Sequence, residues 1–449
     1  LLTEYTKTNE YPLTHVGGCF ASNVIAGRSA WPCKSMDNRP QTLGIIADDL
    51  SGAIECAALC RRVGHSAAVF PHLPEEELSA TSHTSVIVAV TDSRHLPKKH
   101  AASRVHTAAR WLYASGIRVF YKKTDSAARG PIGAELAALA TFEPARDVFF
   151  VPAFPRLGRT VTDGVLSIDG VPVAETAFAN DPRSPVTTSS LVQLLAQQCE
   201  LPIVQTPTGN RRPPTIVVCD GTNEAQVTST VATAFRRGAH LAGPAGALES
   251  LLRLLALPQV APETLSVDIQ STCMLIVAGS CHPVTWEQVN HIQAHGAQVI
   301  HLDHNHCLDE DLVEDTIDYT THITKDAWKK HQPVVICSAR GTQDVETTLS
   351  AAAARGLDVD ACTERITQRI AEISIQTLNR SGGKLLIICG GATSQAMIDA
   401  LHIDRLELLQ EIEPGIGLCR SNAGQLLITK NGAFGKVDAL TQLCYTTGV

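Results

Sequence analysis

Four short polar segments carry most of the residues able to do chemistry in the first half of this 449-residue chain. They are Asp48-Asp49-Leu50-Ser51-Gly52, Thr91-Asp92-Ser93-Arg94, Lys122-Lys123-Thr124-Asp125-Ser126 continuing to Arg129, and the stretch from Pro152 to Arg159. The carboxylates Asp48, Asp49, Asp92 and Asp125 can order hydroxyl groups or accept a proton. Arg94, Lys123, Arg129 and Arg159 supply positive charge. Arg159 suits a bound carboxylate because a guanidinium fork matches its two oxygens, the alternative being a place on a hairpin surface. Asp48-Asp49 has a competing structural use as a helix cap. One cleft that gathered these loops would combine hydrogen-bond acceptors with anion-binding groups.

The second half carries glycine loops instead: Gly279-Ser280, Gly390-Gly391-Ala392-Thr393 and Gly432-Ala433-Phe434-Gly435. Where side chains are small or absent, backbone N–H groups can approach an anion closely. Two of these loops precede predicted helices, whose free amides and dipole favour phosphate. Glycine at a strand-to-helix turn also serves plain turn geometry, and three such loops together strengthen the anion reading. Neither the G-x-x-x-x-G-K-[ST] loop nor the G-x-G-x-x-G fingerprint occurs, so ordinary P-loop and nicotinamide sites lack support. The His301-Leu302-Asp303-His304-Asn305-His306-Cys307 segment lacks a zinc spacing, and no G-x-S-x-G elbow anchors an acyl-transfer triad.

The elements that must position these loops alternate. Apolar runs at Leu43–Ala47, Ser85–Val90, Arg118–Tyr121 and Asp147–Val151 each stop at one of the four polar segments. Helical patterns follow three of them, from about Ala53 to Gly64, from about Lys98 to Gly116, and from near Ile132. The pattern predicts a parallel sheet with all four loops at the carboxyl ends of its strands, where ligands of open α/β sheets bind. After the fourth loop, Val161–Ile168 and Val171–Thr176 flank Asp169-Gly170, a hairpin signal. Strands at Ile203–Val204 and Thr215–Cys219 and a helix over about Glu224–Gly238 continue the domain. Leu257–Thr272, with two prolines and no periodicity, reads as an interdomain linker.

A second alternation starts at Met274–Ala278, with a helix from about Thr285 to Gly296 opened by a Thr285/Gln288 capping box. Strands follow at Gln298–Leu302, Pro333–Cys337, Lys384–Cys389 and Leu426–Thr429, with a helix at Gln395–Leu401. The expected fold class is therefore α/β with two domains, each a mostly parallel sheet flanked by helices and with the active site in the cleft between them. The boundaries are 1–41 for a poorly ordered N-terminal extension, 42–256 for the first domain, 257–272 for the linker and 273–449 for the second domain.

Composition narrows the function class. Hydrophobic residues make up 44% and charged residues 18%, as in ordinary globular proteins. The net charge is -8 with no dense Lys/Arg run, which argues against nucleic-acid and anionic-membrane partners. The 14 cysteines fall singly, without a C-x-x-C pair, and read as reduced thiols of a cytoplasmic protein. No window reaches the ~18 apolar residues of a membrane span, and residues 1–41 contain no stretch like a signal peptide.

In order and content these loops resemble the four-carbon acid sugar kinase family. The resemblance rests on Ile46-Ala47-Asp48-Asp49-Leu50-Ser51-Gly52-Ala53, Thr91-Asp92-Ser93-Arg94, Lys122 through Gly130, Pro152-Ala153-Phe154-Pro155 with Gly158-Arg159-Thr160, Gly170 through Thr176 and Asp181 through Val186. In the second half it rests on Gly279-Ser280-Cys281, Gly390 through Ser394, Glu413-Pro414-Gly415 and Thr429-Lys430 with Gly432 and Phe434-Gly435. It covers roughly residues 42 to 449, with Ala392 where the family usually has Glu.

The resemblance implies an N-terminal domain for the sugar acid, a C-terminal domain for ATP with Mg2+, and transfer to the terminal C4 hydroxyl of an acid such as D-threonate or D-erythronate. A 3-oxo-tetronate 4-kinase and a non-catalytic sugar-acid or nucleotide-binding relative are the alternatives. Under this reading Asp49 and Asp125 are the catalytic candidates, while Asp48, Ser51, Asp92, Arg94, Lys123, Ser126, Arg129 and Arg159 bind substrate. Ser280, Gly390, Gly391, Thr393, Gly415, Gly432 and Gly435 bind the nucleotide, the metal ligands are undefined, and a homodimer is compatible with all of it.

Overall fold

Short apolar runs become strands here because burial on both faces leaves no place for alternating polar residues. Leu43–Ala47 and Val86–Val90 are buried at every position, as strands of a parallel sheet covered by helices must be. The computed structural model of the protein describes residues 42–78, 84–142, 144–181, 183–205, 214–260 and 273–445. The extension 1–41 and residues 261–272 of the expected linker lie outside the described residues.

Among the described residues one sheet of 15 strands runs through both halves. Its first part is all parallel, in the order Ala67–Phe70, Val86–Val90, Leu43–Ala47, Val119–Lys123, His240–Gly243, Val148–Phe150, Ile216–Val218, Ile203–Val204. The second part runs Gln298–His301, Val334–Cys337, Met274–Ala278, Leu385–Cys389, Leu426–Lys430 in parallel, then Ile416–Ser421 and Leu406–Glu413 antiparallel. Both parts wind alike. The opening strand, Leu43–Ala47 or Met274–Ala278, lies between the third and fourth strands of its own half. That arrangement is a topological switch point, which opens a crevice at the carboxyl ends.

The halves join where Leu406 and Glu407 pair antiparallel with Val69 and Ala68. Neither joining strand is evident in the sequence, since Ala67–Phe70 is four residues long and Leu406–Glu413 mixes polar with apolar positions. The helix Leu50–Arg62 packs over this seam. Arg61 Nε donates to the Leu409 carbonyl at 2.8 Å, and Arg62 pairs with Glu411 at 2.7 Å. Much of one apolar core is continuous across the two halves.

Several expected boundaries shift for identifiable reasons. The first helix starts at Leu50 rather than Ala53, because Asp49 caps it by accepting from the Gly52 amide at 2.9 Å. Lys122 and Lys123 end the strand Val119–Lys123 instead of opening a loop. The expected strand Val161–Ile168 breaks into Arg159–Thr162 and Val165–Ile168, since Asp163-Gly164 turns with positive φ just as Asp169-Gly170 does. Thr285 and Gln288 do not form a capping box; His282 caps the helix Pro283–Ala294. Thr285 donates instead to the Gly432 carbonyl, and Gln288 to those of Phe434 and Lys436. His240–Gly243, read as no strand at all, occupies the middle of the first part. Among the described residues no helix is long and apolar enough to cross a membrane.

The inserted position of His240–Gly243 leaves no room at Gly243, where an added Cβ would overlap the Val151 carbonyl oxygen of the neighbouring strand end. Gly243→Ala is therefore expected to destabilise the protein by about 1–3 kcal/mol, measured as a lowered midpoint in denaturant unfolding.

Candidate active site

The carboxyl end of Leu43–Ala47 delivers two adjacent aspartates in different environments. Asp48 is buried and its backbone carbonyl accepts from the Ser93 amide at 2.9 Å, which ties the first loop to the second. Asp49 stands at the helix cap with its side chain 21% exposed. Both are gathered by Arg94. Its Nε donates to Asp48 Oδ2 at 2.8 Å, while Nη1 and Nη2 reach Asp49 Oδ2 and Oδ1 at 2.9 and 2.6 Å. Asp125 from the third loop lies 3.9 Å from Arg94 Nη1. One guanidinium thus serves three carboxylates.

Burial alone would raise the Asp48 carboxyl, but Arg94, Lys122 and Lys123 outweigh it and hold it below the usual carboxylate range. Burial likewise opposes the charge on Arg94, and Asp48 and Asp49 more than restore it. Asp125 is driven well below the usual range, against burial, by Arg94 and by hydrogen bonds from Arg129. Its Oδ2 accepts from the amides of Ala127 and Arg129 and from Arg129 Nε, and its Oδ1 from Arg129 Nη2 at 2.8 Å. So clamped an anion is a poor proton acceptor. Asp125 anchors Arg129, whose Nη1 reaches Asp181 at 2.9 Å.

Behind the loops lies a second charge layer that sequence reasoning missed. Lys122 is buried and pairs with buried Glu135 at 3.1 Å, and Ser93 donates to the same carboxyl group. The signal was a lone Glu within the apolar helix Ile132–Ala140. Lys123 pairs at 3.2 Å with Glu55, a further unanticipated residue on the helix Leu50–Arg62. Against burial, Glu55 is the leading influence that holds the Lys123 ammonium charged.

The glycine loops of the second half converge at their own switch point. An added Cβ on Gly390 would lie 3.1 Å from Ser280 Cβ, one on Gly432 would overlap Ser280 Oγ, and one on Gly279 would overlap Thr393 Oγ1. Lys430, also missed, is buried at the end of its strand and donates to the carbonyls of Asn431, Gly432 and Phe434, which shapes that loop. Burial lowers the proton affinity of its ammonium.

The two sets of loops face each other. A Cβ on Gly391, the first residue of the helix Gly391–Ala400, would lie 2.7 Å from Ser51 Oγ and 4.0 Å from Asp49 Oδ2. Ser51, Ile54 and Glu55 form one wall of the intervening space, and Ser394, Thr429 and Lys430 lie on the other.

Of the expected catalytic and substrate-binding residues, the structure brings together Asp49 and Asp125 with Asp48, Ser51, Arg94, Lys123 and Arg129, with Ser126 half-buried on the adjoining turn. Asp92 lies 3.8 Å from Arg104 with its side chain 65% exposed, and burial together with the nearby Asp399 and Asp49 charges raises its carboxyl against the pull of Arg104. Arg159 opens the three-stranded sheet of the first half and donates to the Leu157 carbonyl; no described contact links it to the Arg94 cluster. Of the nucleotide residues, Ser280, Gly390, Gly391, Thr393 and Gly432 meet. Gly415 packs under the Phe434 ring, and Gly435 lies against Ala439 and Gln288.

A cluster of charged loops in one half faces the glycine-led helix of the other, an arrangement suited to a small-molecule phosphotransferase, the class to which the relatives below belong. A sugar-binding N-terminal domain matches residues 43–251, and a nucleotide-binding C-terminal domain matches residues 275–440. The chain belongs to the four-carbon acid sugar kinase family. It is 27% identical to a D-threonate kinase of Salmonella typhimurium, over 89% of this chain and 97% of that one. It is 27% identical to a D-erythronate kinase of Heliobacterium modesticaldum over 88% and 94%, and 28% identical to a 3-oxo-tetronate kinase of Methylobacterium radiotolerans over 88% and 97%. A solved Salmonella typhimurium structure described as a tRNA synthase shares the fold with a TM-score of 0.74, at 22% identity over 91% of this chain and all of that one.

Two expectations follow from the geometry. Arg94→Met abandons the buried Asp48 carboxylate and should cost about 3–5 kcal/mol at neutral pH. The lowered Asp48 value makes its contribution complete above the ordinary carboxylate range and lost below it. In the variant burial prevails and protonation relieves the penalty, so the deficit should shrink at about pH 5, as denaturant unfolding at the two pH values would show. Gly391→Ala should leave the thermal midpoint unchanged or higher but lower kcat by about 10-fold or more, because the added methyl holds Ser51 and Asp49 away from the helix terminus.

Proposed function

We propose that the protein is an ATP-dependent kinase that phosphorylates the terminal C4 hydroxyl of a four-carbon sugar acid, with D-threonate and D-erythronate the leading acceptors. The carrying observation is the approach of Asp49 and Ser51 to Gly391, which puts a partly exposed carboxylate opposite a helix N-terminus suited to phosphate. The names of the relatives support the substrate class. Because a 3-oxo-tetronate kinase matches equally well, that acid is the second reading. Residues 42–256 are assigned to the sugar acid, 257–272 to the linker and 273–449 to the nucleotide.

In this mechanism Arg94 receives the substrate carboxylate, and Asp48, whose Oδ1 is buried without a partner, accepts from a substrate hydroxyl. Ser280, Gly390, Gly391, Thr393 and Gly432 surround the nucleotide phosphates. Asp49 takes the proton of the C4 hydroxyl as its oxygen bonds to the terminal phosphorus and ADP departs. Closure of the halves excludes water from the transfer.

No group of three or more His, Cys, Asp or Glu among the described residues forms a metal cage. A Mg2+ carried on ATP phosphates needs only one or two protein carboxylates, and Glu55 at the cleft wall is placed to provide one. Bound there, the ion would neutralise phosphate charge. A cytoplasmic location suits the described cysteines, all of which are free.

The test is a coupled ADP-release screen with D-threonate, D-erythronate, 4-hydroxythreonine and 3-oxo-tetronate. At least one acid should give saturable turnover, and Asp49→Asn should lower kcat by about 10²–10⁴-fold with a smaller change in KM. Binding of acid and nucleotide in calorimetry without any ADP would instead make the protein a non-catalytic relative.

A further inference from the structure

We propose that Arg94 masks Asp49 until the carboxylate of the sugar acid takes the place of Asp49 on the guanidinium, so that the proton acceptor is released only when the acceptor substrate is present. This rests on the function proposed above and adds a gate to it.

The mask is visible as a two-pronged pairing. Both terminal nitrogens of Arg94 are directed at the two oxygens of Asp49, at 2.9 and 2.6 Å. A carboxylate held in this way has its lone pairs committed to N–H donors and cannot readily take a proton from a hydroxyl. A substrate carboxylate has the same fork-matching shape as that of Asp49. Arg94 already faces Asp48, Asp49 and Asp125. A fourth anion would leave four negative charges about one guanidinium, so one of the three must yield.

Asp49 is the one able to yield. The Asp48 side chain is 2% exposed, and Asp125 is 8% exposed and clamped by Arg129. The Asp49 side chain is 21% exposed and keeps the Gly52 amide as an alternative partner. Released, it remains at the cap of its helix, beside Ser51 and across from Gly391, where the C4 hydroxyl and the terminal phosphate would meet.

The step then balances simply. The substrate oxygen bonds to phosphorus, its proton passes to Asp49, the bond from phosphorus to the ADP oxygen breaks with its electron pair on ADP, and Asp49 later returns the proton to solvent. Without a sugar acid the pairing stays closed, and water entering the cleft finds no free acceptor. The gate therefore suppresses hydrolysis of ATP in addition to choosing an acid over a neutral polyol.

Two measurements test the gate. In Arg94→Lys an ammonium still faces Asp48 and Asp125 but cannot hold both oxygens of Asp49. ADP release without any acceptor should rise about 10-fold, while sugar-acid turnover falls about 100-fold or more. A residue that only bound substrate would lose turnover with the acceptor-free rate unchanged. An acceptor-free rate that is unchanged or lower in a variant of wild-type thermal midpoint overturns the gate.

The second measurement uses the wild-type protein, and it decides alone if that variant does not fold. Erythritol, a four-carbon polyol without a carboxylate, should be phosphorylated slowly, and added acetate should accelerate it saturably by about 10-fold or more by occupying Arg94 in trans. Acetate that inhibits or has no effect overturns the gate. If no sugar acid is phosphorylated at all, the proposed function fails; if one is and erythritol stays insensitive to acetate, only the gate fails.

Discussion

Three carboxylates from two separate loops converge at the carboxyl ends of adjacent parallel strands, and the guanidinium of Arg94 makes that convergence tolerable. Two unit charges of like sign about 4 Å apart repel by roughly 4 kcal/mol at the effective dielectric of a partly buried site. Asp48, Asp49 and Asp125 would push the loops of Leu43–Ala47 and Val119–Lys123 apart if Arg94 did not bridge them from the loop of Val86–Val90. Three neighbouring strands are thereby tied at one end by charge, as they are tied along their length by backbone hydrogen bonds. Lys122 and Lys123 add positive charge from beneath, and Arg129 carries the alternation outward to Asp181.

Such a cluster is costly to bury, and its geometry fits a task that apolar packing could not perform. Every cation in it is matched to a carboxylate, so under the proposed gate a ligand carboxylate enters by exchange rather than by filling an empty site. Exchange keeps the count of buried charges nearly constant. It also frees a group at a defined place, beside the helix terminus of the opposite half.

That place exists because two similar windings meet edge to edge. Each half opens its crevice at the carboxyl ends of its own strands, and pairing of Ala67–Phe70 with Leu406–Glu413 joins the halves into one sheet. The helix Leu50–Arg62 spans the seam, capped by Asp49 and fastened to the second half through Arg61 and Arg62. Phosphoryl transfer depends on positioning and on excluding water more than on covalent help from the protein. A helix capped by Asp49 and packed on both halves ties the position of that carboxylate to the way the halves meet.

The sequence by itself determined the alternating elements, the α/β class with two halves, and the loops that carry the charged residues and the glycines. Buried strands must be apolar and must stop where polar loops begin, so Leu43–Ala47, Met274–Ala278 and Leu385–Cys389 declare themselves. It did not reveal His240–Gly243 or the two joining strands, whose burial comes from neighbours distant in the chain. Nor could it divide labour among the charged residues. Asp49 and Asp125 look alike as letters, and only the folded arrangement clamps Asp125 with Arg129 while pairing a partly exposed Asp49 with Arg94 near Gly391. Asp92 and Arg159 make no described hydrogen bond to the Arg94 cluster, a matter of long-range packing that local pattern does not record. Local pattern records which segments must be buried; the partner of each charge is decided by long-range packing, and the partner fixes its chemistry.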